Sequence, residues 1–321
     1  MAVKRFNRNL EKFFYNPISL TETTRKFFPY LRTQWLYSRK DKIFNDGQIK
    51  WYVAWYPISY LKTLKMKQKR DIQFKKVFLA RRDVEIMIEN ECKKRNLEDS
   101  SQIETFNIPE GVHELSGFCF ESEHSFKTLT IPSSLKYLYN TCFNYCCKLT
   151  SLELPTTIKS LPTDSFFCCH SLRSINISTC ITSIGKRCFY TCSSLTSIHI
   201  PTSISILQEN SFENCKSLKS IDIPSTVKII ELSCFSGCKS LSSVIIPNSL
   251  SVLEMFSFCD CISLKSIDIP SSITKIGFCC FLGCTSLTTI NIYNPNVVLE
   301  KCCFQEITNN CAINFIDGLN K

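Results

Sequence analysis

Nine phenylalanines stand 23 residues apart without a gap: Phe120, Phe143, Phe166, Phe189, Phe212, Phe235, Phe258, Phe281 and Phe304. Only a chain that repeats one structural unit produces such a column, so this period decides the fold before any local propensity does. Eleven residues before each ring lies a grid point, held by Pro109, Pro132, Pro155, Pro201, Pro224, Pro247 and Pro270, with Ser178 and Tyr293 in the two remaining places. The residue before each grid point is Ile or Leu, from Ile108 to Ile292. Apolar side chains also recur three before it (Phe106 to Ile290) and six after it (Leu115 to Leu299).

The unit reads C-x-S-L-x-S-I-x-I-P-x-S-I-x-x-I-x-x-x-C/S-F-x-x, as in Cys215–Gly237 with small departures. Its I-x-I step has the two-residue period of a strand with alternate side chains inward. Pro then ends the pairing, because it has no amide hydrogen. Such β-branched units leave no room for a long helix. One unit cannot cover its own apolar face, but stacked units can, which predicts a mainly β solenoid of about nine turns. At a strand spacing of about 4.8 Å, nine turns extend roughly 43 Å, with the phenyl rings stacked as a ladder along one edge. The pattern frays at the end, and Ile313 and Phe315 predict a closing half-turn over 311–317.

Charge divides the chain. Residues 1–99 hold 23 Lys+Arg against 11 Asp+Glu, a balance of +12, within a total of +10, so 100–321 carries −2. All three tryptophans lie before residue 100 and 20 of the 21 cysteines after it. This predicts a basic, aromatic-rich α/β capping region over 1–99, with short helices around Asn9–Phe14 and Thr21–Phe28, and a solenoid over 100–317. The apolar fraction of 44% excludes wholesale disorder. No apolar run approaches the roughly 18 residues of a membrane helix. The opening MAVKRFNRNLEKFF lacks a signal-like apolar stretch, so a cytoplasmic location with reduced thiols is expected; cell-surface display by a signal-independent route is the alternative.

The unit Cys192-x-x-Leu195-x-x-Ile198-x-Ile200-Pro201-x-x-Ile204, with Phe212 eleven residues past the Pro, resembles the BspA-like leucine-rich repeats of bacterial surface antigens and of large protozoan expansions. Family members usually carry Gly before the Phe turn; here only Gly185 and Gly277 keep it. Phe13–Pro17 and Trp51–Tyr56 are similar to the leader of the protozoan branch, without the F-box-like segment often found there. The resemblance implies a right-handed leucine-rich-repeat solenoid that recognises proteins, in adhesion at a surface or as an intracellular adaptor.

Thirteen cysteines fill two repeat columns. Nine before the grid point stand Cys146, Cys169, Cys192, Cys215, Cys238, Cys261 and Cys284; ten after it stand Cys119, Cys142, Cys188, Cys234, Cys280 and Cys303, alternating with Ser165, Ser211 and Ser257. The C-x-x-x-C pairs look like half a zinc site, but Ser cannot replace a structural metal thiolate, so small-residue packing explains the columns and no metal is expected. Cys169-His170 has no third orienting group, and no P-loop, dinucleotide fingerprint or H-E-x-x-H occurs; neither catalysis nor a cofactor is expected.

Binding then falls to the surface. The outward strand positions vary while the core is constant, and Arg173, His199, Lys219, Asp222, Ile245, Lys265 and Asp268 form the most suggestive patch. A second candidate is the basic segment Lys62, Lys65, Lys67, Lys69, Arg70, Lys75, Lys76, Arg81 and Arg82, able to meet an anionic membrane or nucleic acid. Its Ile72, Phe74, Val77 and Leu79 interleave as a strand would, which favours a solvated face.

Overall fold

The computed structural model describes residues 16, 18–26, 28 and 31–316. A repeat gives a first strand ending near the grid point and a short second strand six residues past it, as in Ser151–Glu153 followed by Ser160–Leu161; before Pro201 the first strand is reduced to a bridge at His199. Between them the Pro carbonyl accepts the amide three residues later (Pro155 from Ile158, 3.1 Å; Pro201 from Ile204, 3.0 Å), so the residue that ends one strand also starts the turn. Neighbouring turns pair in parallel at a shift of one repeat, Leu152 against Ile175 and Ile267 against Ile290. Like therefore stacks on like, and the inward apolar columns close into one continuous core.

The turn count is a correction. Second strands number eleven among the described residues, beginning at Ile58–Ser59 and Val77–Leu79, before the first grid turn at Glu114–Leu115. Ile58 pairs with Val77 and Leu79 with Leu115, all in parallel. The expected cap thus supplies two further turns, whose first strands Trp51–Ala54 and Ile72–Phe74 also pair in parallel. Their spacing is shorter than the later repeat, and the helix Arg81–Arg95 is inserted before the grid begins, so they fall off the 23-residue period. Of the two short helices expected, Glu22–Arg25 is present, capped by Thr21; Asn9–Phe14 lies outside the described residues, as does Asp317 of the closing half-turn.

The edge that carries the rings is built by alternation of backbone handedness. The residues nine and thirteen past every grid point have φ from 50° to 72°, and of these eighteen positions only Gly237 and Gly283 are glycine. Each such non-Gly residue costs about 1–2 kcal/mol. The compensation is a third hydrogen-bonded ladder: Thr141, Phe143 and Tyr145 donate to the carbonyls of Thr163 (3.1 Å), Ser165 (3.0 Å) and Phe167 (2.8 Å) one turn on. Between the left-handed positions the rings stack in one row. Successive centroids lie 5.5, 5.2, 5.4, 5.4, 5.5, 5.4, 5.5 and 5.6 Å apart from Phe120 to Phe304, with interplanar angles of 16° or less.

The apolar core has two clusters. One runs from Leu20 to Val77, the other from Leu79 through the solenoid, and the divide falls within the strand Val77–Leu79. At the far end Ile313 and Phe315 pair with Ile290 and Ile292 as their columns require, and both side chains are exposed, with no further turn over them among the described residues.

Candidate functional site

The outer side of the first strands is a grid of exposed side chains held in register by the ladder beneath. Arg173, Lys219 and Lys265 occupy the column five before the grid point; His199, Asp222, Ile245 and Asp268 occupy the column two before it, and all seven are exposed. His199 and Asp222 are bridge partners on adjacent turns. The Asn291 amide donates to Asp268 (2.8 Å), and the Asn314 amide donates to Asn291 (2.9 Å), so this column ends in a side-chain ladder. Six of the seven patch residues thus sit on four consecutive turns, and Arg173 lies one turn before them.

A seam runs through this face that the repeat pattern did not announce. In the column of Arg173 each amide donates one turn back: Thr196 to Arg173 (3.2 Å), Lys219 to Thr196 (3.2 Å), Ser242 to Lys219 (3.1 Å) and Thr288 to Lys265 (2.9 Å). Among the described residues no bond joins Lys265 to Ser242, and strands Ser243–Val244 and Ser266–Ile269 belong to different sheets. A groove of about 370 Å³ opens at this seam, lined by Ile245, Asn248, Asp268 and Tyr293 among others. Ile245 stands at its edge, 76% exposed, the most exposed large apolar side chain among those described. Tyr293, where the grid usually has Pro, retains an amide that donates to Ile269 (2.9 Å). The outward Ile and the missing Pro are the two sequence signals that could have located the groove.

The cysteines prove to be more than small packing residues. All seven thiols of the first column donate to the carbonyl of a Phe in the stack, as Cys169 does to Phe143 (3.1 Å) and Cys238 to Phe212 (3.3 Å). In the second column Ser165, Ser211 and Ser257 donate to carbonyls three residues back (2.7, 2.5 and 2.6 Å), which is how a hydroxyl is tolerated where Cys otherwise stands. Burial pushes the thiols of Cys142, Cys146, Cys188 and Cys192 well above their usual range. Cys169 is buried while His170 is exposed with Nδ1 3.2 Å from the Thr191 carbonyl, so the pair forms no nucleophile–base contact. No group of three or more metal-ligating side chains converges among the described residues.

The basic segment is split between elements. Lys62, Lys65 and Lys67 lie on the helix Tyr60–Lys67; Lys69, Lys75 and Lys76 lie on the turns beyond it, and all six are exposed. Arg70 stacks over Tyr52 (5.6 Å), Arg81 pairs with Glu121 (2.8 Å) and Arg82 with Glu85 (3.1 Å). Ile72, Phe74, Val77 and Leu79 are buried strand residues, as their alternation indicated. The charged side chains on this segment therefore fringe a buried core. No described helix is long and apolar enough to cross a membrane.

Comparison with known proteins agrees with this geometry. The family described as BspA type leucine rich repeat region matches residues 91–219 and 207–321. A leucine-rich repeat protein from Bacteroides ovatus ATCC 8483 is 28% identical over 63% of this chain, with a TM-score of 0.53; the chain spans 62% of that protein. The pneumococcal vaccine antigen PcpA has the same fold at 20% identity, covering 94% of this chain and 71% of its own, with a TM-score of 0.50. A search among curated proteins returned no match. With the matched residues spanning most of its length, the chain belongs to the BspA-type leucine-rich repeat family.

Proposed function

We propose that this protein is a non-enzymatic recognition scaffold whose strand face captures a protein partner around Ile245. The observation that carries the reading is the groove at the seam, where an exposed apolar side chain stands between Asp222 and Asp268. An apolar side chain exposed at a groove and flanked by charged residues has the anatomy of a binding centre. Affinity capture with the full chain tests it. The D222K/D268K variant is expected to lose the proteins the wild type retains; an unchanged capture profile contradicts the reading.

A second contact is favoured by the six exposed lysines of 62–76, none of which enters an ion pair among the described residues. We infer that they meet an anionic surface, with nucleic acid as the competing ligand. Sedimentation with phosphatidylserine vesicles, abolished by salt, supports the membrane, whereas a mobility shift of DNA alone transfers the assignment.

A cytoplasmic setting is the proposed one, because it keeps thiols that donate to carbonyls reduced. Titration of the denatured protein without reductant is expected to find 21 reactive thiols. A count far below that places the chain in an oxidising compartment and favours surface display.

A further inference from the structure

Lys219–Pro224 and Lys265–Pro270 are the same hexapeptide, Lys-Ser-Ile-Asp-Ile-Pro, placed two turns apart on either side of Ser242–Pro247. Each copy presents an exposed Lys just before a first strand, Ser220–Ile221 or Ser266–Ile269, and an exposed Asp three residues on, about 10 Å apart along the extended chain. All four charged side chains are exposed, and none enters an ion pair among the described residues. Asp268 accepts the side-chain amide of Asn291, at 2.8 Å. The face therefore carries two Lys–Asp pairs of the same sequence and spacing, free of ion pairs among the described residues, with the apolar Ile245 between them.

We propose that this face binds a second copy of the chain, across a two-fold axis parallel to the stacking direction. This pairing rests on the strand face being the recognition surface and adds the identity of the partner. Such an axis sets each turn against the same turn of the other copy with the strands reversed. Lys219 then faces Asp222 of the second copy and Lys265 faces Asp268, each contact occurring twice, as an isologous interface requires. Ile245 comes to lie over Ser242 and Ser243 of the other copy. On the neighbouring turns Thr196 meets His199 and Thr288 meets Asn291, so no like charges oppose. An axis along the strands through Ile245 would instead set Lys219 against Lys265 and Asp222 against Asp268. The charge pattern admits one arrangement and rejects the other. The central three turns span only about 10 Å of the stack, so the pairing needs no long flat surface.

Sedimentation velocity of the purified full chain in reducing buffer, over a concentration series, tests this. The wild type is expected to dimerise, more weakly as salt rises. D222K/D268K and K219D/K265D should each raise the dissociation constant at least about tenfold, since each sets like charges face to face. An equimolar mixture of the two variants should dimerise again, because each reversed face then meets its complement. Circular dichroism identical to wild type shows that both variants fold. A wild type that stays monomeric throughout, or a mixture that stays monomeric, overturns the proposal. If the monomeric wild type nevertheless captures a protein that D222K/D268K does not, self-association is wrong and the recognition reading stands.

Discussion

The Cys215 thiol donates to the carbonyl of Phe189, 3.2 Å away and 26 residues earlier in the chain. That carbonyl belongs to the ring stack, so the thiol column and the phenyl column are two halves of one device. Cys215→Ala removes one of the two donors to that carbonyl, which keeps the Cys192 amide at 3.1 Å, and should cost about 0.5–1.5 kcal/mol. Urea denaturation of the variant measures it; a loss indistinguishable from zero means the thiol merely fills space.

Alkali should unfold the solenoid. Burial raises the thiols of Cys146, Cys192, Cys215, Cys238, Cys261 and Cys284 above the ordinary value of 9.0. Because the folded state holds these protons more tightly, the stability they contribute is complete below pH 9. It falls as pH rises, since the unfolded chain ionises first. Each thiol costs about 1.4 kcal/mol per pH unit in that window. Circular dichroism under reducing conditions should show cooperative loss of structure between about pH 9 and 10.5; a signal unchanged to pH 11 contradicts the burial of the column.

Phe212 and Phe304 occupy the same repeat position in different surroundings. Phe212 is wholly buried between two rings, whereas Phe304 is half-buried and stacks on one ring among the described residues. Phe212→Ala should cost about 3–5 kcal/mol through its cavity, and Phe304→Ala markedly less. Equal losses in urea would mean that the end of the array is covered in solution.

Leu79 joins the N-terminal turns to the repeats. It is buried, pairs with Leu115, and its carbonyl accepts the Ser116 amide (3.0 Å) and the Cys119 thiol (3.2 Å). Leu79→Ala should destabilise the whole array by about 2–5 kcal/mol in a single transition. Two separate transitions, with the repeats unaffected, would show that the ladder does not couple across this strand.

The array was legible in the sequence because its constraint is identical side chains stacked on themselves, which leaves Phe120 to Phe304 on a fixed period. The two turns at Ile58 and Val77 escaped that reading because their connections differ in length, and backbone pairing does not require equal loops. The left-handed positions were hidden as well. Residues such as Arg187, Thr191 and Phe256 do not favour a positive φ, and they adopt it because three hydrogen bonds per turn offset the strain. At the candidate site the outward positions of His199, Asp222, Ile245 and Asp268 could be read off the strand alternation. The gap in pairing between Ser242 and Lys265 could not be read directly, and only the outward Ile245 and the missing Pro at Tyr293 mark its place in the sequence.

A crystal structure of the full chain tests the central claim most directly, through the spacing of the nine Phe rings. The account predicts a single unbroken row, each ring 5.2 to 5.6 Å from the next, with the seven thiols on the Phe carbonyls behind it. A row broken at any interior turn, or thiols turned away to bond one another, would contradict it.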